Sequence, residues 1–190
     1  MDITSFLQGE TGAQIINAAS QQLGIGKDQA QSAVSAAVPL LLSALKKNAQ
    51  SGDAENIDKA LANHNGSILD NLTGFLSQEG TQQEGFGILN HILGSKQDTV
   101  ANSIGEKTGL DSGNVTKILA LVAPVVMGYL GKEKQTQGLD SNGISGLLNN
   151  LSSSGAGIDL GGLEKILDQD GDGKLGTSDV FSFFGKFLKK

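Results

Sequence analysis

The hydrophobic positions of this chain fall mostly at helical spacing. Val34, Ala37, Val38, Leu41 and Leu45 form one stripe, and Leu119, Val122, Val126 and Leu130 form another. The two stripes belong to segments that align without a gap at a constant offset of 85 residues, 6–47 on 91–132. Gly9 meets Gly94, Gly24 meets Gly109, Pro39 meets Pro124 and Leu45 meets Leu130. Each copy reads as a helix, a glycine turn and a long apolar helix. Gly24 and Gly109 stand where a helix C-cap needs positive φ. Pro39 and Pro124 fall well inside the long helices, where a proline removes a backbone hydrogen bond and is expected to kink or divide them.

A weaker correspondence follows each copy. Residues 65–77 (NGSILDNLTGFLS) and 142–154 (NGISGLLNNLSSS) each predict a trailing helix. Between the copies, TQQE at 81–84 has the form of a capping box, with Thr81 as N-cap and Glu84 reaching back. FGILNHILG (86–94) predicts a short apolar helix, and SKQD (95–98) a further helix start. The expected fold class is all-α: two pseudo-repeated helical halves, about 5–79 and 86–154, packed as one bundle over residues 1–153. Two copies make a paired bundle, since a solenoid needs at least three.

The stretches ILNHILG, TGLDSGNVTKILALVAPVVMGYLGK and GLDSNGISGLLNNL, together with NHNGSILDNL, resemble the YidB-like bacterial domain of unknown function. The resemblance covers about residues 5–153 and rests on apolar, glycine and proline positions. It implies a small all-helical bacterial protein and carries no catalytic residues.

Beyond a Gly/Ser linker (154–162), residues 163–190 read as an EF-hand-like helix–loop–helix. The loop DQDGDGKLGTSD (168–179) places Asp168, Asp170 and Asp172 at positions 1, 3 and 5 and Gly173 at the sharp turn. Lys174 at position 7 offers its backbone carbonyl, Leu175 supplies the apolar position 8, and Asp179 stands at position 12. Calcium takes about six to eight oxygen ligands at roughly 2.3–2.6 Å. Four carboxylates and one lysine give this loop a charge of −3, half the chain's −6, and a divalent cation relieves their repulsion. Asp179 stands where glutamate is usual, as in the duplicated loops of dockerin modules, which this loop resembles. Its shorter reach, with Gly176 at position 9, predicts weak calcium affinity and magnesium as a competitor. The alternative is a solvated Asp/Gly turn. After the loop, Val180, Phe183, Phe184, Phe187 and Leu188 form an apolar stripe, and four of the seven phenylalanines lie in the last ten residues. With a single such loop, the stripe must bury itself on the chain's own helical domain, on a second copy, or in a partner's groove.

Composition narrows the rest. There is no cysteine, which removes disulfides, Cys-ligated metals and thiol nucleophiles. All fourteen basic residues are lysine, and without guanidinium forks nucleic-acid binding is not expected. The runs at 36–45 and 118–130 are shorter than the roughly 20 residues of a membrane span and read as buried core helices. The N-terminus lacks the basic region and long apolar core of a secretory signal, so a cytoplasmic location is expected. His91, aligned with Phe6, reads as a packed helix residue, and His64 as a helix-end residue with a capping role. No catalytic constellation stands out. The expectation is a calcium-binding, non-enzymatic helical protein acting as an interaction scaffold, with an unknown protein partner or a second copy; the alternatives are an interaction bundle whose acidic loop binds no metal, or a ligand-binding or hydrolytic bundle.

Overall fold

The computed structural model describes residues 3–78 and 80–154. Among them the chain is helical throughout, with no strand. The succession is α1 (Ile3–Gln8), α2 (Glu10–Leu23), α3 (Lys27–Asn48), a π-helical turn (Ala49–Asp53), α4 (Ala54–Asn63), a 3-10 turn (Ser67–Leu69), α5 (Leu72–Leu76), α6 (Thr81–Leu93), a second 3-10 turn (Gly94–Lys96), α7 (Gln97–Thr108), α8 (Ser112–Gln137) and α9 (Ser141–Ser154).

Glycine closes α2 and α7, as expected. Gly24 closes α2 at φ 64° and its N–H donates to the Ser20 carbonyl. Gly109 closes α7 at φ 72°, donating to the Gly105 carbonyl. A left-handed residue there satisfies carbonyls that the helix end leaves open. In each case a long helix begins three residues after the glycine, α3 at Lys27 and α8 at Ser112. The stripes expected from periodicity are buried: Val34, Ala37, Val38, Leu41 and Leu45 on α3, and Leu119, Val122, Val126 and Leu130 on α8.

α8 is the axis of the molecule. Every residue from Ile118 to Gly131 is buried, and α2, α3, α4, α6 and α7 all pack against it. A helix that is apolar all round belongs inside a core. α8 is also, by length and composition, the one helix among the described residues long and apolar enough to cross a membrane, and 78% of its most apolar window is buried within the fold. The short run counted in the sequence underestimated it. The phenyl ring of Phe6 rests on Tyr129 of α8, centroids 4.7 Å apart and tilted by 50°, which seats α1.

Neither proline divides its helix. Pro39 and Pro124 lie inside continuous α3 and α8, and what they change is the carbonyl four residues earlier, which loses its ladder partner. On α3 that residue is Ser35, which is exposed, so water can serve its carbonyl. On α8 it is Ala120, which is fully buried. Here α6 brings Gly85 against the oxygen that the ladder leaves open, so closely that a Cβ on Gly85 would clash with it. The proline therefore shapes how α6 meets α8.

Three local expectations are corrected. Residues 65–77 do not form one helix. Gly66 (φ 85°) and Asn71 (φ −140°, ψ 60°) break the backbone, and Asn71 caps a short α5 by accepting from the Gly74 N–H at 3.2 Å. The TQQE segment makes no capping box. Gly80 is the N-cap, the Thr81 hydroxyl donates to the Phe75 carbonyl at 2.6 Å, and Glu84 turns toward His64. His91 is exposed rather than packed, whereas Phe6, its aligned counterpart, is buried.

Candidate functional site

The fold opens a groove of about 410 Å³ where the end of α3, the π-helical turn, α4, α6 and α8 meet. Its floor is apolar. Leu45, Ile57, Ile92 and Met127 line it while being almost wholly buried. On α4, Ile57, Ala60 and His64 share one face by their spacing, as do Ile88, His91 and Ile92 on α6. The turn between α3 and α4 exists because Gly52 adopts φ 102°, a conformation that side chains resist. It swings Asp53 and Asn56 to the rim.

The rim is polar and partly preset. Asn48 Nδ2 donates to the Ile92 carbonyl at 3.0 Å, tying α3 to α6. Asn56 Nδ2 donates to Asp53 Oδ1 at 2.6 Å. His64 ends α4 as expected from the sequence, with Nδ1 2.8 Å from the Ala60 carbonyl. A carbonyl only accepts, so Nδ1 holds the hydrogen. Nε2 faces the Glu84 carboxylate at 3.4 Å, a contact that becomes ionic only when the ring carries both protons.

Glycines on α8 fix His64 in place. A Cβ on Gly131 would run into the His64 carbonyl and lie 2.8 Å from that of Leu61. A Cβ on Gly128 would lie 2.8 Å from Ile68. The end of α4 can therefore sit directly on the α8 backbone. Next to it, Lys134 Nζ holds Asp58 of α4 through the carboxylate at 2.7 Å and the main-chain carbonyl at 3.1 Å.

This arrangement suits binding: an apolar bed for aliphatic or aromatic groups, with imidazole, amide and carboxylate around it. Both histidines of the chain stand here, 27 positions apart in sequence. No local pattern announces their meeting, because the α4–α6 approach is a tertiary contact. Helical spacing about His64 and His91 marks their apolar neighbours but not their shared groove.

A larger cleft of about 720 Å³ lies between α2, α5 and the start of α6, lined by Gln14, Asn17, Gln21, Gln22, Gln78 and Gln82 among others. Gln22 bridges it, donating to the Leu76 carbonyl at 2.7 Å and accepting from Gln82 at 3.2 Å. Gln14, by contrast, donates to the Glu10 carboxylate at 3.2 Å.

The residues singled out for calcium, Asp168, Asp170, Asp172, Lys174 and Asp179, lie outside the described residues, as does the Phe-rich stripe. Among the described residues no group of three or more His, Cys, Asp or Glu side chains is placed to hold a metal.

No curated protein and no solved structure matches the chain. A family model does: the DUF937 bacterial proteins of unknown function, over residues 5–133. That span contains every residue lining the groove and stops short of both α9 and the acidic loop. By this match over more than half its length, the chain belongs to the DUF937 family of bacterial proteins of unknown function.

Proposed function

We propose that the chain is a calcium-binding, non-enzymatic helical scaffold whose captured ion orders its C-terminal helix. One observation carries this reading: the Asp168, Asp170, Asp172, Gly173 and Asp179 spacing, followed by an apolar stripe at Val180, Phe183, Phe184, Phe187 and Leu188. The three leading aspartates and Asp179 supply side-chain oxygens, and Lys174 supplies its carbonyl. Magnesium competes because the short Asp179 weakens the wide calcium cage. Binding to the folded form alone adds to its stability by mass action.

Titration calorimetry of the full chain with calcium tests the reading, with Asp168→Ala as control. Heat in the native chain and none in the variant supports it. Equal heats in the two, or a melting temperature unmoved by calcium and by chelator, leave the loop an acidic turn on an interaction bundle.

The groove favours a second reading, a ligand-binding bundle. Its support is the His64–Glu84 pair beside an apolar floor. For the fold itself, we propose one YidB-like domain, about residues 5–153, built of two pseudo-repeated helical halves. The support is the matching order of helix, left-handed glycine and long helix at an 85-residue offset, Gly24 with Gly109 and α3 with α8. Superposition of α2–α3 on α7–α8 tests it, since a different crossing angle in the two pairs ends the proposal.

A further inference from the structure

The groove keeps open volume beside half-buried Ile88 and the two histidines, which raises the question of what fills it. Its floor is Leu45, Ile57, Ile92 and Met127, with Ile88 half-buried at its edge. The same chain carries an apolar stripe in want of a surface: Val180, Phe183, Phe184, Phe187 and Leu188. We propose that this C-terminal segment, residues 180–188, docks in the groove between α3, α4, α6 and α8 of its own chain, with its phenylalanines on Met127 and between His64 and His91.

Three observations choose this occupant over a foreign one. The first is position. α9 packs on α3 and α4, the helices that form one wall of the groove. Its Asn149 meets Gln50 of the π-helical turn at 3.4 Å, three residues from Asp53 on the rim. The body of α9 therefore lies against two of the helices that build the groove. The second is length. Residues 155–179 join the end of α9 to the stripe, and the Gly/Ser linker among them, residues 155–162, spans at most about 25–30 Å at roughly 3.3–3.6 Å per residue. Tethering makes the encounter intramolecular, with an effective concentration in about the millimolar range. The third is charge. Residues 180–190 carry Lys186, Lys189 and Lys190 and no acid, while the groove presents Asp53 on its rim and Glu84 beside His64. A groove of this size also suits a few large side chains, and aromatic rings contribute the most area per residue ordered. The docking stands on the groove and the stripe. Only its control by calcium rests on the function proposed above.

The chain supplies its own reporters. It has two histidines and two methionines, and His64, His91 and Met127 all line the groove, so both imidazole signals and one of two methionine methyl signals in an NMR spectrum of the full chain read its occupancy. Replacing Phe183, Phe184 and Phe187 together by serine removes their ring currents. The expected result is a shift of all three signals, while the backbone amides of α2 and α7, away from the groove, stay in place. Signals that do not move on this substitution overturn the docking. Shifts that depend on protein concentration overturn its intramolecular form in favour of a second copy.

Ile88→Asp places a charge at the half-buried edge and tests the other side of the contact. Chymotrypsin should then cut after the tail phenylalanines about tenfold faster or more, since cleavage follows the open population. Unchanged cleavage again overturns the docking. The calcium reading fails separately. If calorimetry shows no calcium heat but the serine substitutions still move the three signals, the docking stands without the ion. If calcium binds and neither chelator nor the serine substitutions move them, the docking falls and the ion site stands.

Discussion

Two glycines on α6, two positions apart, should respond in opposite directions to the same substitution. Ala in place of Gly raises helix stability by about 0.8–1.0 kcal/mol in a helix interior. At Gly87 nothing lies within 4 Å of the added methyl, so Gly87→Ala should stabilise the protein by about 0.5–1 kcal/mol. At Gly85 the methyl would fall on the Ala120 carbonyl oxygen, with the Ala120 carbon atoms C and Cα at 2.5 and 2.8 Å. The obstacle is backbone, which has no rotamer to yield. Overpacking costs about 1–3 kcal/mol, here toward the upper end, and separating α6 from α8 also forfeits a Cα–H contact to that oxygen of about 0.5–1 kcal/mol. After the propensity gain, Gly85→Ala should destabilise by about 2–3 kcal/mol. At about 2–4 °C per kcal/mol for a chain of this size, Tm falls by roughly 5–10 °C for Gly85→Ala and rises by a few degrees for Gly87→Ala. Urea unfolding with unchanged m-values checks that both act on the native state. The penalty at Gly85 should shrink in a Pro124→Ala background, because the restored N–H at position 124 draws the Ala120 carbonyl back into the helix. If Gly85→Ala shifts the midpoint upward, or by the same amount as Gly87→Ala, the close crossing of α6 on α8 is wrong.

Other outcomes follow from single contacts. Gly24→Ala and Gly109→Ala should each cost about 1–2 kcal/mol, because a side chain is strained at their positive φ; equilibrium denaturation measures it. Lys134→Met should cost about 1–2 kcal/mol by breaking its two contacts to Asp58, whose side chain is 28% exposed; a double-mutant cycle with Asp58→Asn isolates the coupling. Thr81→Val should cost about 1 kcal/mol, since the Phe75 carbonyl loses the hydroxyl that donates to it, and thermal unfolding reports it. Asp168→Ala should abolish calcium heat without lowering the melting temperature of the metal-free chain.

The helical class, the buried stripes of α3 and α8 and the left-handed glycines after α2 and α7 were legible in the order of residues. Each depends on neighbours within a few positions: side chains repeating at helical spacing, or a carbonyl that only a residue at positive φ can serve. The acidic spacing from Asp168 to Asp179 is legible for the same reason, since its ligands would sit in one short loop. Tertiary structure decided the rest. That Gly85 must stay bare depends on an oxygen 35 positions away that Pro124 leaves open. Thr81 looked like a cap, yet its hydroxyl reaches back six positions to the Phe75 carbonyl of α5. His91 shared a repeat position with Phe6, but Phe6 is covered by Tyr129 while His91 faces the groove with His64. Local spacing selects the helix and its apolar face. Which faces meet, and what opening they leave, is set by close packing between segments far apart in the chain.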